Sequence, residues 1–227
     1  MGPPSLNLWP VNVVRSLERR LERLLEGVVG RAFSGHLHPS EIAGRLAREA
    51  DFARFDHPAG PATANAYTLS FNPGDVKDIP EMTRILESEM ADYAAEQGLR
   101  LEGPTRVSIQ TDDTLPTGQM ACHVEVAPGP LVPWARLVSR TETHPIGRNR
   151  VIIGRAGDAD IVIEADDVSR SHANLWRQSG AVFVRDLGSS NGTAIDGERV
   201  GPEPVSLEHG STLWISEHGY RFLSSDA

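Results

Sequence analysis

Apolar residues in the first half of the chain recur at helical spacing in some stretches and at strand spacing in others. A period near 3.6 predicts an amphipathic helix over about Val11–Val29 and a second helix that begins near Pro39. A third helix over Pro80–Gln97 ends before Gly98, a residue that suits the left-handed conformation of a helix cap. Strict alternation predicts strands at Tyr67–Phe71, Arg106–Gln110 and Gln119–Val126. The order ααβαββ favours an α+β domain with a small sheet over residues 8–127.

The pattern changes at residues 128–133, where three prolines and a glycine predict a stiff connector without regular structure. An earlier stretch rich in Pro, Gly and Ala, residues 58–64, is interpreted as a loop. Beyond the connector the helical period is lost and short apolar runs recur between turn residues. The runs are Ala135–Val138, Val151–Ile153, Ile161–Ile163, Ala173–Trp176, Val182–Arg185, Ala194–Ile195, Thr212–Ile215 and Tyr220–Leu223. They predict an all-β antiparallel sandwich or barrel over residues 134–225.

Composition and charge narrow the class of protein. The net charge is −9, which argues against a general nucleic-acid binder, because affinity for a phosphate backbone needs a basic face. No apolar run approaches the roughly 18–20 residues that span a bilayer, so no direct membrane insertion is expected. The start of the chain lacks a basic segment followed by an apolar one, which predicts no secretory signal. The single cysteine, Cys122, fits a reducing compartment, and the cytoplasm is the expected location.

Polar residues suited to binding an anion lie between the predicted strands of the second half. Gly154-Arg155 follows one strand, Ser169-Arg170-Ser171-His172 precedes another, and a Gly-Ser-Ser-Asn-Gly-Thr run at 188–193 separates two more. A phosphate monoester presents three acceptor oxygens, to which guanidinium groups offer paired donors and hydroxyl groups offer further ones. These loops therefore predict a phosphate-binding site.

The order and spacing of these residues resemble the forkhead-associated (FHA) domain. The motifs are Gly154-Arg155, then Ser169-Arg170-x-His172, then Ser190-Asn191-Gly192-Thr193, with 14 positions from Arg155 to Ser169 and 21 from there to Ser190. The resemblance implies a two-sheet sandwich that binds phosphothreonine peptides through loops at one end. It further implies that threonine is preferred over serine because its methyl group fills a small apolar pocket.

The resemblance also implies a role for each matching position. The residues implied to bind phosphothreonine are Arg155, Ser169, Arg170, Ser190 and Asn191, the last through the peptide backbone. The residues implied to shape the loops are Gly154, His172, Gly192 and Thr193.

Other kinds of chemistry have weaker support. The acidic residues at 158–160 and 164–167 lack the glycine and terminal glutamate of a calcium loop and are interpreted as solvated. His36 and His38 have no cysteine or carboxylate partner at zinc-like spacing, so no metal or cofactor is expected. Cys122 is interpreted as a core residue, and the absence of hydrolase, zinc-protease and P-loop signatures predicts a non-catalytic protein. RNA binding through Gly27–Gly30, and a scaffold with an inactive site, remain as alternatives.

The first half resembles a domain of unknown function found at the front of FhaA-type actinobacterial proteins. The resemblance rests on the helix Val11–Val29, Phe33-Ser34-Gly35, Pro39–Ala43 and Asn65–Thr68. It implies an adaptor downstream of bacterial Ser/Thr kinases in the control of cell-wall synthesis or division. An implied partner is a pseudokinase-bearing membrane protein of peptidoglycan precursor export, which would recruit the adaptor to the membrane or division site. The connector is short where known relatives carry a long disordered linker.

A threonine-rich, acidic segment lies between two predicted strands of the first half. Thr111, Thr114 and Thr117 are candidate phosphoacceptors for a Ser/Thr kinase. The alternative is an ordinary turn between two strands.

Overall fold

The computed structural model describes residues 39–76 and 80–225. The helix predicted over Val11–Val29, the glycines at 27 and 30, and His36 and His38 lie outside these residues. The chain divides into two compact units, which are described separately. Of the described residues, the first unit contains those in 39–53, 66–90 and 105–125, and the second contains those in 54–65, 91–104 and 126–225. Two short segments that precede the connector therefore pack with the C-terminal part of the chain.

The helices and strands follow most of the predicted boundaries. The helices are α1 (Pro39–Phe52) and α2 (Pro80–Glu96). The strands are β1 (Phe55–His57), β2 (Gly60–Ala62), β3 (Ala66–Phe71), β4 (Arg106–Thr111), β5 (Met120–Glu125), β6 (Ala135–Val138), β7 (Thr143–Ile146), β8 (Arg150–Gly154), β9 (Ile161–Val162), β10 (Ala173–Gln178), β11 (Ala181–Asp186), β12 (Thr193–Ile195), β13 (Glu198–Val200), β14 (Val205–Ser206), β15 (Thr212–Ile215) and β16 (His218–Ser224). No helix among the described residues is long and apolar enough to cross a membrane.

In the first unit, β3 is the middle strand of a three-stranded sheet. It pairs parallel with β4 and antiparallel with β5, and α2 makes the connection that the parallel pair requires. The apolar faces of α1 and of the first part of α2 are buried with β3. The buried side chains here are Ile42, Leu46, Ala47, Ala50, Leu69, Phe71, Met82, Leu86 and Met90. The predicted α+β class with a small sheet is confirmed.

In the second unit, two mainly antiparallel sheets enclose an apolar core, as the short strands predicted. One sheet has the order β14-β11-β10-β8-β9 and the other has the order β13-β12-β15-β16-β6-β7. The core includes Leu137, Ile153, Leu175, Val184, Leu213, Ile215 and Phe222. The sequence did not indicate β7, β13 and β14, because β7 contains a proline, β13 begins with two charged residues, and β14 has only two residues.

The interpretation of residues 58–64 as a loop is wrong for part of that stretch. β1 and β2 form an antiparallel hairpin, with His57 opposite Gly60, whose φ of +112° favours glycine. Each strand has three residues and prolines interrupt the pattern, so no alternation was detectable. The backbone of Arg100 extends this hairpin, because its N–H donates to Pro61 O (2.9 Å) and its carbonyl accepts from Thr63 N (3.1 Å). The predicted cap after α2 is present, since Gly98 has a φ of +60°.

Asn65 fixes the point where the connector begins. Its side-chain amide is buried and donates to the carbonyls of Pro104 and Ala127, both at 2.9 Å. Its Oδ1 accepts from Ala127 N at 2.9 Å. One side chain therefore satisfies three backbone groups of two other segments in the second unit.

Replacement of Asn65 by alanine should lower the free energy of unfolding by about 2–4 kcal/mol, because three hydrogen bonds are lost and backbone groups are left unpaired away from water. Urea denaturation monitored by tryptophan fluorescence measures this change. The control Asn72→Ala removes hydrogen bonds at a partly exposed turn and should cost about 1 kcal/mol. Equal losses in the two variants would contradict the structural role of Asn65.

Candidate functional site

The loops with the predicted anion-binding residues emerge from one end of the sandwich. β8 ends at Gly154, and β10 begins at Ala173 directly beside it, because Ile153 and Ala173 are paired. β11 ends at Asp186, which is paired with Ala173 on the other side. The loops over residues 155–160, 163–172 and 187–192 therefore converge at this end.

Hydrogen bonds bring the three principal candidates together. Arg155 N donates to Ser169 O (3.0 Å), and Ser190 N donates to Ser169 Oγ (3.0 Å). Arg170 joins the same group, since its carbonyl accepts from Ala156 N at 3.2 Å. Ser169 is half-buried, whereas Arg155, Arg170 and Ser190 are exposed. These four residues thus form one continuous surface across three loops.

The two arginines of this surface have donors to spare. Within the described part of the chain, neither the Arg155 nor the Arg170 guanidinium is engaged in a hydrogen bond or an ion pair. The Ser169 hydroxyl accepts a backbone N–H and keeps its own hydrogen for a further acceptor. The arrangement can therefore donate several charge-assisted hydrogen bonds to an anion with several oxygens.

Asn191 ties two of the loops together at the edge of this surface. Its Nδ2 donates to Asp167 O at 2.7 Å, and no described residue donates to its Oδ1, which can therefore accept a hydrogen bond from a ligand. The Asp167 carboxylate lies 3.0 Å from His218 Nε2. Hydrogen bonds from Ser216 and His218 lower the pKa of Asp167 to about 2. An ionised carboxylate therefore adjoins Asn191 at neutral pH.

His172 supports the loops from below. It is fully buried, so it does not reach a ligand at the surface. Its Nδ1 accepts from Ser169 N (3.2 Å), and its Nε2 therefore carries the hydrogen and donates to Gly192 O (3.0 Å). The imidazole links the loop that contains Ser169 to the loop that contains Ser190.

Glycine is required at two of the predicted positions. The backbones of Gly154 and Arg170 approach each other closely. A Cβ on Gly154 would lie 2.1 Å from the carbonyl oxygen of Arg170, which is a steric clash. Gly192 has a φ of +89°, and the Arg199 guanidinium packs within 3.1 Å of where its Cβ would be. A larger residue at either site would displace the loops that form the anion-binding surface.

Asp186 organises the 187–192 loop and was missed by the sequence reasoning. Its Oδ1 accepts from Gly188 N and Ser189 N, both at 2.8 Å, and its Oδ2 accepts from Ser189 Oγ (2.6 Å) and Thr193 Oγ1 (2.7 Å). Burial tends to raise the pKa of Asp186, but hydrogen bonds from Ser189 and Thr193 outweigh it and lower the pKa. An aspartate two residues before a glycine is a turn signal that could have revealed it.

The structure corrects the interpretation of Asp160 as a solvated acid, and it shows Cys122 half-buried where a core position was expected. Asp160 is not a solvated loop residue, because its side chain is only 11% exposed and is ion-paired with Arg100. Cys122 is half-buried, and burial raises the pKa of its thiol to about 12, which disfavours a thiolate. Among residues 39–76 and 80–225, no three His, Cys, Asp or Glu side chains come close enough to hold a metal ion.

The three threonines proposed as phosphoacceptors lie on or next to the turn between β4 and β5. Thr111, Thr114 and Thr117 are all exposed. Thr114 is held by Asp112, whose Oδ1 accepts from both Thr114 N (2.9 Å) and Thr114 Oγ1 (2.6 Å). The segment is thus a hydrogen-bonded turn with exposed hydroxyl groups.

Comparison with known proteins yields two family matches. Residues 14–123 match the family described as FhaA, N-terminal domain, and residues 151–216 match the FHA domain. The transcriptional regulatory protein EmbR of Mycobacterium tuberculosis is 28% identical over 142 residues, which cover 63% of this chain and 33% of EmbR. FhaB of Mycolicibacterium smegmatis is 42% identical over 55 residues, which cover 24% of this chain and 36% of FhaB. The chain spans about a third of the length of these curated relatives.

Solved structures also match part of this chain. The structure of M. tuberculosis EmbR in complex with a low-affinity phosphopeptide is 32% identical, with a TM-score of 0.38, over 40% of this chain and 24% of that one. The FhaA FHA domain complexed with the intracellular domain of Rv3910 is 24% identical, with a TM-score of 0.35, over 39% of this chain and 96% of that one.

The sandwich and its loops define an FHA-domain protein, and FHA domains are phosphopeptide-binding modules. The chain belongs to those FHA-domain proteins that also carry the N-terminal domain of FhaA.

The hydrogen bonds of Asp186 should make the stability of the protein depend on pH. Because its pKa is lowered in the folded state, its contribution to stability is present above the unfolded value of about 3.9 and is lost as the pH falls through the folded value. Asp186→Asn should therefore lower the free energy of unfolding at pH 7 by about 1–3 kcal/mol. The difference from the original protein should shrink below about pH 4. Urea titrations at several pH values measure it.

Asp158→Asn is the matched control, because Asp158 is exposed in the loop and its carboxylate has no hydrogen bond or ion pair in the described residues. It should leave stability nearly unchanged across the pH range. A loss in Asp186→Asn that is the same at pH 7 and pH 3 would contradict the assignment.

Proposed function

We propose that this chain is a non-catalytic adaptor that binds phosphothreonine in partner proteins through the loops of its FHA domain. The phosphate ligands are Arg155, Ser169, Arg170 and Ser190, and Asn191 binds the peptide backbone. Gly154, His172, Gly192 and Thr193 hold these loops in place. The adaptor lies downstream of bacterial Ser/Thr kinases.

The observation that supports this proposal is the hydrogen-bonded group around Ser169. Arg155 N donates to the Ser169 carbonyl and Ser190 N donates to the Ser169 hydroxyl, so the three loops meet at one residue. Arg155 and Arg170 are exposed on the same loops, and their guanidinium groups are unengaged among the described residues. A phosphate dianion has enough acceptor oxygens to use all of these donors, whereas a single carboxylate does not. The net charge of the chain is −9, so its overall electrostatic field does not attract an anion. Selectivity for a phosphorylated peptide therefore depends on this local cluster of donors.

The wider role is proposed from the pairing of the two domains. The proposed organisation is a domain over residues 8–127, a connector over 128–133 and an FHA domain over 134–225. The family matches over residues 14–123 and 151–216 support this FhaA-type order and, with it, a function in the regulation of cell-wall synthesis or division. The partner is a phosphorylated protein of that process, such as a pseudokinase-bearing membrane protein of peptidoglycan export. The adaptor resides in the cytoplasm and is recruited to the membrane or division site by this partner.

Replacement of Arg155 by alanine should abolish measurable binding of phosphothreonine peptides, because the exposed guanidinium serves the ligand and not the core. Calorimetry with an oriented phosphopeptide library should give dissociation constants on the order of 1–100 µM for the original protein. The same peptides without phosphate should show no measurable binding.

Binding of the phosphopeptides should weaken below about pH 6, where the phosphate loses its second charge. Phosphoserine peptides should bind about 10-fold or more weakly, since they lack the methyl group.

Arg136→Ala is the matched control. Arg136 is also exposed, but it pairs with Leu223 near the far end of β16, away from the loops. It should retain the original affinity. Binding that survives Arg155→Ala, or that does not distinguish phosphorylated from unphosphorylated peptides, would instead support a scaffold with an inactive site.

The turn between β4 and β5 is proposed as a kinase target. Incubation with a bacterial Ser/Thr kinase domain should place phosphate on Thr111 or Thr117 in preference to Thr114, whose hydroxyl is already bonded to Asp112. Mass spectrometry of the digested protein, with Thr111→Val and Thr117→Val as controls, measures this. Absence of phosphate from all three threonines would leave the segment as an ordinary turn.

A further inference from the structure

A buried arginine outside the region matched to the FHA family contacts the FHA part of the second unit. The Arg100 side chain is only 5% exposed. It donates two hydrogen bonds to the Asp160 carboxylate, from Nη1 to Oδ2 (2.7 Å) and from Nη2 to Oδ1 (2.8 Å). Nη1 also donates to the carbonyl oxygen of Arg150 (2.8 Å). Arg100 therefore holds both residue 150 and residue 160 of one stretch of chain.

That stretch contains Arg155, the principal candidate for phosphate binding. Asp160 also accepts from Ile152 N at 2.9 Å, so its carboxylate joins β8 to the start of β9. β9 in turn lies parallel to β8, with Ile161 opposite Ile153. The loop 155–160 is therefore closed at its base by the Asp160 carboxylate, and Arg100 neutralises and orients that carboxylate.

Arg100 is itself held firmly by its neighbours. Its backbone is hydrogen-bonded on both sides to the β2 region, as described above, and its Nε donates to Glu102 Oε1 at 2.5 Å. Glu102 also accepts from Arg148 Nε (3.2 Å), and the His57 imidazole lies 3.8 Å away. The guanidinium thus has carboxylates on two sides and little freedom to reorient.

We propose that Arg100 is a positioning residue of the phosphopeptide site, which acts by preorganising the loop 155–160 and the Arg155 side chain that follows β8. This inference rests on the proposed function and deepens it. A loop that is already ordered loses less conformational entropy when the ligand binds, so affinity rises without any new contact. The planar fork of arginine matches a carboxylate in a way that the single ammonium group of lysine does not. An FHA domain cut at its family boundaries lacks this support.

The test compares Arg100→Lys with the original chain of 227 residues. Lysine keeps the charge but cannot donate to both carboxylate oxygens and to the Arg150 carbonyl in the same geometry. We expect the dissociation constant for a phosphothreonine peptide to rise about 5–20-fold. Asp160→Asn, which preserves size but removes the ion pair, should shift it in the same direction and keeps the test valid if Arg100→Lys folds poorly. Arg136→Lys is the matched control, because Arg136 is exposed and pairs with Leu223 away from these loops, and its dissociation constant should stay within about 2-fold of the original.

Amide hydrogen exchange separates positioning from general loosening. Exchange in the loop 155–160 should accelerate in Arg100→Lys, whereas exchange in the loop 187–192, which Asp186 holds independently, should not. An unchanged dissociation constant in both Arg100→Lys and Asp160→Asn, or equal acceleration in both loops, would overturn the proposal. If the original chain binds no phosphopeptide at all, the proposed function fails, and that outcome is distinct from a failure of this inference.

Discussion

Ser169 is hydrogen-bonded through each of its three polar groups, and the geometry of the candidate site depends on this residue. Its N–H donates to His172, its carbonyl accepts from Arg155 N, and its hydroxyl accepts from Ser190 N. Two of these bonds hold the backbone of another loop, and the third holds the buried imidazole of His172. The loop conformations are therefore specified largely by backbone contacts, and among the described residues the Arg155 and Arg170 guanidinium groups are left without competing partners.

This arrangement separates the groups that hold the site from the groups that can bind. The buried imidazole of His172 and the half-buried carboxylate of Asp186 accept hydrogen bonds from backbone and hydroxyl donors within the loops. The exposed guanidinium of Arg155 makes no such internal hydrogen bond among the described residues. Because an anion-binding side chain gains most when it does not first break an internal bond, this separation favours affinity for a dianionic ligand.

The second unit extends beyond the sandwich that the family pattern describes. The β1–β2 hairpin contributes the carbonyl oxygen of Ala59, which accepts a hydrogen bond from the Asn174 side chain. The segment after α2 contributes Arg100, which forms a buried ion pair with Asp160. Breaking one partner of such a pair leaves an uncompensated charge away from water, which is far more costly than the loss of a surface ion pair. The base of the loop that bears Arg155 is consequently sensitive to residues more than fifty positions earlier in the chain.

The sequence by itself determined the class of each half, most strands of the sandwich and the phosphate-site candidates. These features are local: alternation follows from one strand facing one core, and the motifs from Gly154 to Thr193 combine side-chain chemistry with short fixed spacings. Only the tertiary structure decided that Asp160 is a buried partner of Arg100 and not a solvated acid. It alone showed that residues 60–62 form a strand. An acidic residue in a loop has the same local sequence whether it faces water or a distant arginine, so its role is fixed by packing between remote segments and not by local pattern.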